Sequence, residues 1–142
     1  MFRKPLFLLA LSTVACLVSA AQDPQPVTRK SICETSYTLP PHDARTCSFD
    51  VPAGLRKARI VGKFSVTGDA ANAIEVWLMN DAQFEKWQTQ HTVEALYKSQ
   101  KVTQGMLNFF LTEPGKFHVI FNNDSPESPQ TVEASLSLRL VR

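Results

Sequence analysis

The sequence lacks the signatures of the common catalytic sites. It has no G-x-S-x-G nucleophile elbow, no H-E-x-x-H zinc pair and no glycine-rich loop for a phosphate. Its three histidines, His42, His91 and His118, lie far apart and belong to no catalytic motif. His118 alternates with core-type residues, so we interpret it as a satisfied or exposed strand histidine. We therefore expect a protein that is not an enzyme and needs no cofactor or metal.

Long apolar runs are also scarce, and the one that exists lies at the N-terminus. It follows Arg3 and Lys4, covers about 14 residues and ends in small residues, as secretory signal peptides do. A membrane span needs about 20 apolar residues. We predict a signal peptide over 1–21, cleaved near Ala20 or Ala21, and a secreted or periplasmic protein with no membrane span after cleavage.

The sequence has no large excess of basic or of acidic residues. The chain has 15 basic and 13 acidic residues and a formal charge of +2. Arg3 and Lys4 fall in the predicted signal peptide, so 15 − 2 = 13 basic residues remain against 13 acidic ones. A neutral chain with scattered basic residues argues against a nucleic-acid partner.

Cysteine is rare, and its placement is informative. Cys16 lies within the predicted signal peptide, which leaves Cys33 and Cys47 for an oxidising compartment. We predict that these two form a disulfide. The alternatives are two free thiols, or a lipoprotein acylated at Cys16 in the weak lipobox T-V-A-C. A metal site is disfavoured because no histidine lies at ligand spacing.

Period-two alternation of apolar and polar residues dominates the rest of the chain. It is clearest in 57–67, in 116–122 and in 131–141, and it is typical of antiparallel strands with one dry face. We predict an all-β protein, an antiparallel two-sheet β-sandwich that is jelly-roll-like with about eight strands. Residues 22–32 are predicted to be a flexible lead-in and residues 33–142 the sandwich domain. Shorter predicted strands lie near 36–39, 46–51, 73–79 and 106–112, and 93–99 is ambiguous.

One segment, NDAQFEKWQTQ, has helical spacing instead. Phe84 and Trp87 are three residues apart, and Asn80 with Gln83 has the spacing of a capping box. We predict one short helix near 81–89 whose apolar edge packs on the sandwich.

Three stretches together resemble a known family. YTLPPHDARTC, IVGKFSVTGDAANAIEVWLMND and PGKFHVIFNNDSPESPQTVEASLSL resemble the GOLD domain, the luminal module of Emp24-type cargo receptors. The resemblance covers roughly 36–141 and implies a β-sandwich with a protein- or lipid-interaction role. The residues that match are Leu39, Pro40, Cys47, Gly115, Phe117, Phe121, Asn123 and Ser125.

The sequence departs from that family in two respects. Ile120 stands where many members have the second cysteine, and Cys33 looks like its substitute. The sequence has no counterpart of the receptors' coiled coil, membrane span or coat-binding tail, so the resemblance does not imply vesicle trafficking. We expect an exported, bacterial-type relative.

Two sets of residues are candidate contact sites. Trp77, Trp87 and Tyr97 are a possible platform for sugar rings, although the tryptophans are also expected to bury each other between helix and sheet. The loop residues Asn122, Asn123 and Asp124 are a possible contact site and, together with Ser125 and Glu127, a possible calcium site. They lack the spacing of a calcium loop, so a turn is favoured.

The sequence thus predicts an exported, non-enzymatic module that binds a protein or envelope component. The partner is an unknown protein, lipid or glycan. Carbohydrate binding through exposed aromatic residues is the alternative.

Overall fold

The computed structural model describes residues 26–67 and 73–142. The predicted signal peptide, its cleavage site and Cys16 lie outside the described residues. Within them the chain forms eight strands and one helix. In chain order these are β1 Val27–Leu39, β2 Asp43–Val51, β3 Lys57–Thr67, β4 Glu75–Asn80, α1 Asp81–Gln90, β5 Tyr97–Lys98, β6 Gln104–Leu111, β7 Gly115–Asn123 and β8 Gln130–Val141.

The strands form two antiparallel sheets of four. The order is β1-β8-β3-β6 in the first sheet and β2-β7-β4-β5 in the second. The chain passes repeatedly from one sheet to the other, which is the connectivity of an eight-stranded jelly roll. The predicted all-β, two-sheet sandwich is confirmed.

The core lies between the two sheets and is built by the alternating residues. Phe121 of β7 is completely buried, and its ring makes edge contacts with Tyr37 and Phe64 at centroid distances of 6.1 and 5.9 Å. Leu138 of β8 and Ile60 of β3 are also completely buried. The rows of apolar residues are therefore the inner faces of the sheets, as the alternation predicts.

The first strand is longer than the sequence indicates. Strand β1 begins at Val27, so residues 27–32, predicted to belong to a flexible lead-in, lie in a strand, and 27–31 pair with β8. This stretch is mostly polar and exposed, and its own pattern gives no strand signal. Its backbone is ordered by hydrogen bonding to β8, which is long enough to pair with the whole of β1.

The predicted disulfide is present. Cys33 of β1 and Cys47 of β2 are bonded, with Cα atoms 5.9 Å apart. A register shift between Ser31 and Cys33 accompanies the pairing of β1 with β8. Because β1 and β2 are edge strands of different sheets, the disulfide joins the two sheets at one edge.

Helix α1 lies on the outer face of the second sheet and begins where the sequence predicts. The Asn80 side chain accepts from Gln83 N at 2.9 Å, and Asn80 N donates to the Gln83 side chain at 3.1 Å. The helix ends at Gln90 and is capped by His91, which adopts the left-handed conformation. No helix among the described residues is long and apolar enough to cross a membrane.

Candidate functional site

The three aromatic residues of the predicted sugar platform do not share a surface. Trp77 is only 4% exposed and lies on the outer face of the second sheet, where its ring makes an edge contact with Trp87 at 5.7 Å. Tyr97 pairs with Leu78, the next residue along β4, and packs against the core between the sheets. Since neighbouring strand residues point to opposite faces, Tyr97 and Trp77 do not share a surface, whereas Trp77 and Trp87 pack on each other.

The side chain of Asn123 holds the predicted contact loop together by hydrogen bonds to its backbone. This side chain is completely buried, and its Nδ2 donates to the carbonyls of Leu39, Pro40 and Ser128 at 3.2, 2.9 and 3.0 Å. Its Oδ1 accepts from Ser125 N at 3.1 Å. Asn123 therefore closes the β7–β8 loop and is not available to a ligand.

The neighbours of Asn123 are partly exposed. Asp124 forms a 2.7 Å ion pair with Lys101, and this hydrogen bond raises the pKa of the Lys101 ammonium group. Asn122 is half-buried on β7. Among the described residues no group of three or more His, Cys, Asp and Glu side chains could hold a metal ion.

The structure assembles one polar chain that the sequence did not predict. His118 is 2% exposed on the outer face of β7, with Nδ1 2.8 Å from Ser48 Oγ and Nε2 2.9 Å from Asp81 Oδ1. When the ring carries a single proton, on Nε2, it donates to the Asp81 carboxylate and its Nδ1 accepts from the Ser48 hydroxyl. Phe84 stacks on the imidazole at a centroid distance of 3.9 Å.

This chain has the composition of a hydrolase triad, in which a carboxylate orients a histidine that activates a serine. Here the same bonds join three separate elements, because Ser48 lies on β2, His118 on β7 and Asp81 in the first turn of α1. Helix α1 covers the imidazole. The arrangement suits an anchor that holds the helix on the sheet.

The outer face of the first sheet carries an arginine row across three neighbouring strands. Arg139 of β8 pairs with Arg29 of β1 on one side and with Arg59 of β3 on the other. Neighbouring strands are about 4.8 Å apart. Like charges at directly opposed positions destabilise a sheet, so this row has a cost that the fold alone does not explain.

Two of these arginines are held in place through Nε. Arg29 Nε donates to Ser137 Oγ at 3.1 Å, and Arg59 Nε donates to Asn108 Oδ1. The Arg59 guanidinium also lies 5.0 Å from the centre of the Phe110 ring. No salt bridge joins any of the three to an acid within 26–67 and 73–142. Among the described residues, the side-chain hydrogen bonds of the row therefore engage Nε of Arg29 and Arg59 and no Nη atom.

An open hollow of about 800 Å³ lies on the same face of the sheet, four residues along β3 and β8 from the arginine row. Small serine side chains, among them Ser65 and Ser135, line it together with Lys63, Glu133 and Met106. Met106 is 79% exposed and pairs with Lys63 across β3 and β6. The hollow therefore combines hydroxyl groups with one charge of each sign and an apolar rim.

Charge is concentrated on this surface, which we call the basic face. Its strands present five basic and two acidic residues outward, a net charge of 5 − 2 = +3. Because residues 22–142 are formally neutral, the remainder of that segment carries −3. The charged residues of the basic face are Arg29, Lys57, Arg59, Lys63, Arg139, Glu34 and Glu133.

Comparison with known proteins gives similarities of structure. No family model and no curated protein matches the chain. The pre-peptidase C-terminal domain of a collagenase from Bacillus anthracis is similar, with 14% identity, coverage of 79% of this chain and 88% of that one, and a TM-score of 0.46. A periplasmic inhibitor of g-type lysozyme from Aeromonas hydrophila has 11% identity, coverage of 84% and 90%, and a TM-score of 0.42. The GOLD resemblance stays a prediction, and the proposals below depend on this chain's own residues.

Proposed function

We propose that this protein is an exported, non-enzymatic interaction module that binds an envelope component or another extracellular partner through the basic face. The observation that carries the proposal is the difference between the two sheets. Helix α1 covers Trp77, Met79 and Ile120 on the outer face of the second sheet. On the first sheet no residue within 26–67 or 73–142 covers the arginine row or the hollow. The predicted signal peptide and the disulfide favour an oxidising compartment.

The Ser48–His118–Asp81 chain is the one feature that favours an enzyme. We assign it to the anchoring of α1. The imidazole is buried under Phe84, and the two hydrogen bonds of the chain link β2, β7 and α1. Turnover of p-nitrophenyl acetate by the purified protein should be the same in Ser48→Ala. A loss of turnover in that variant would identify a hydrolase instead.

Site-specific photo-crosslinking in cells tests which surface is used. A diazirine amino acid replaces Met106 on the basic face in one variant and Gln88 on exposed α1 in the control. Diazirines react with proteins, lipids and glycans alike, so the partner need not be known. We expect adducts from position 106 and none from position 88. Adducts from position 88 alone, or equal adducts from both, would reject the basic face as the binding surface.

A further inference from the structure

We propose that the partner of the basic face is an anionic polysaccharide, whose acidic groups bind the arginine row while its sugar units occupy the hollow. This inference rests on the proposed function and names the class of ligand. Three observations support it: the geometry of the arginine row, the hydroxyl groups further along the same face and the concave shape of the hollow.

The arginine row is suited to several oxyanions at once. A guanidinium group presents a planar fork that matches phosphate, sulfate or carboxylate with two parallel hydrogen bonds. Arg29 and Arg59 are oriented in advance through Nε, which leaves the Nη edges for a ligand. Two strand spacings separate them, about 10 Å, which is more than one oxyanion spans. The ligand is therefore expected to carry repeated negative charges.

Side chains with hydroxyl groups lie further along the same face. The hollow is lined by Ser36, Ser65 and Ser135, with Gln104 at the edge strand. Such side chains both donate and accept hydrogen bonds, as sugar hydroxyls do. Phe110, at the end of the arginine row, is 56% exposed and offers an apolar ring edge. A polymer with alternating acidic groups and hydroxyls uses both parts of the surface.

The shape of the surface favours a chain-like ligand over a membrane. A flat bilayer would leave the hollow empty, and the large exposed apolar side chains of β6, Met106 and Phe110, lie along one edge of the sheet. A membrane-surface site typically presents a broad apolar face beside its basic residues. The central strands of this face, β8 and β3, present mostly polar and charged side chains, with Val61 and Val141 as their apolar members.

Binding of dextran sulfate by the full exported chain, residues 22–142, tests the proposal, with uncharged dextran as the matched polymer. Titration calorimetry at low salt should show binding to dextran sulfate and none to dextran. The test variant neutralises the row by Arg29→Gln, Arg59→Gln and Arg139→Gln. A control with the same change in charge replaces Lys86, Lys101 and Lys116 by Gln. A third variant replaces the three arginines by Lys.

We expect the dissociation constant to rise about tenfold or more in the Gln row variant, the size of effect that loss of a few charge-assisted hydrogen bonds produces. The dissociation constant of the Lys row variant should lie between those of the unchanged protein and the Gln row variant, because lysine keeps the charge and loses the planar fork of the guanidinium. The dissociation constant of the control should change by less than about twofold, because exposed charges far from the binding surface are screened by salt. An equal loss in the control, or no loss in the row variant, would overturn the proposal.

Other outcomes identify other partners. Tight binding to vesicles of phosphatidylcholine and phosphatidylglycerol without binding to dextran sulfate would overturn the proposal in favour of a membrane. Stronger binding to single-stranded DNA than to dextran sulfate would overturn it in favour of nucleic acid. If dextran sulfate does not bind while photo-crosslinks still form at position 106, the ligand class is wrong and the proposed binding surface stands.

Discussion

Phe84 lies flat against the imidazole of His118, with ring centroids 3.9 Å apart and ring planes that differ by 11°. One ring belongs to helix α1 and the other to strand β7. The same imidazole bonds to Ser48 and to Asp81, so both of its ring nitrogens are engaged. This contact fixes the helix over the second sheet and makes the outer faces of the two sheets chemically different.

Substitution of His118 should weaken the anchor of the helix. His118→Ala removes a buried ring and two hydrogen bonds, and we expect it to lower the free energy of unfolding by about 2–4 kcal/mol. Ser48→Ala is the control. Ser48 is exposed, so water can replace its hydroxyl. Loss of its hydrogen bond to His118 should lower the free energy of unfolding by about 1 kcal/mol or less. Urea unfolding followed by Trp fluorescence measures both, and equal losses would contradict the role of the imidazole.

The disulfide should stabilise the sandwich by restricting the unfolded chain. Cys33 and Cys47 close a loop of about 15 residues, for which chain entropy predicts about 3 kcal/mol. The double variant Cys33→Ala, Cys47→Ala should lose that amount in chemical denaturation. Its melting temperature should be the same with and without a reducing agent, whereas the unchanged protein should melt lower when reduced. A reductant effect in the double variant would contradict this account.

Much of the fold is predictable because its signals are local. The alternation around Phe121 and Leu138 identifies the inner faces without any knowledge of strand pairing, since side chains in a strand alternate with period two. The helix start is equally local, because Asn80 and Gln83 satisfy each other's backbone groups. Such patterns need no partner from elsewhere in the chain.

The candidate site is less predictable because it depends on register. Arg29, Arg59 and Arg139 are scattered in sequence and become a row only when β1, β8 and β3 pair as they do. The Ser48–His118–Asp81 chain is formed in the same way from distant positions. Trp77 and Tyr97 show the converse case. They are similar in type and are grouped from the sequence, but they point to opposite faces of one sheet.

Asn123 should be essential for the β7–β8 loop. Asn123→Ala removes the donor to three carbonyls and the acceptor of Ser125 N, and we expect a loss of about 2–4 kcal/mol, because buried groups left unpaired are costly. Asn123→Asp should also destabilise, since it turns a carboxylate oxygen toward those carbonyls. The neighbouring half-buried Asn122→Ala is the control. A similar melting temperature for all three variants would refute the assignment.

Tyr37 should make stability depend on alkaline pH. Burial raises the pKa of its phenol well above the ordinary value of about 10, and the Arg45 cation acts in the opposite direction more weakly. The unfolded chain then ionises Tyr37 above about pH 10 while the folded chain keeps the proton. The unfolded state binds fewer protons there, so this group's stabilisation is present below pH 10 and declines as pH rises, by at most about 1.4 kcal/mol per pH unit.

Tyr37→Phe isolates this effect from the other groups that titrate in alkali. The Tyr37 hydroxyl is buried without a hydrogen-bond partner among the described residues, so its removal should leave stability at pH 7 unchanged or slightly higher. Denaturant unfolding of both proteins between about pH 7 and pH 11 gives the difference at each pH. We expect the unchanged protein to lose stability relative to Tyr37→Phe above pH 10. Parallel curves over the whole range would mean that the phenol ionises as readily in the folded chain as in the unfolded one.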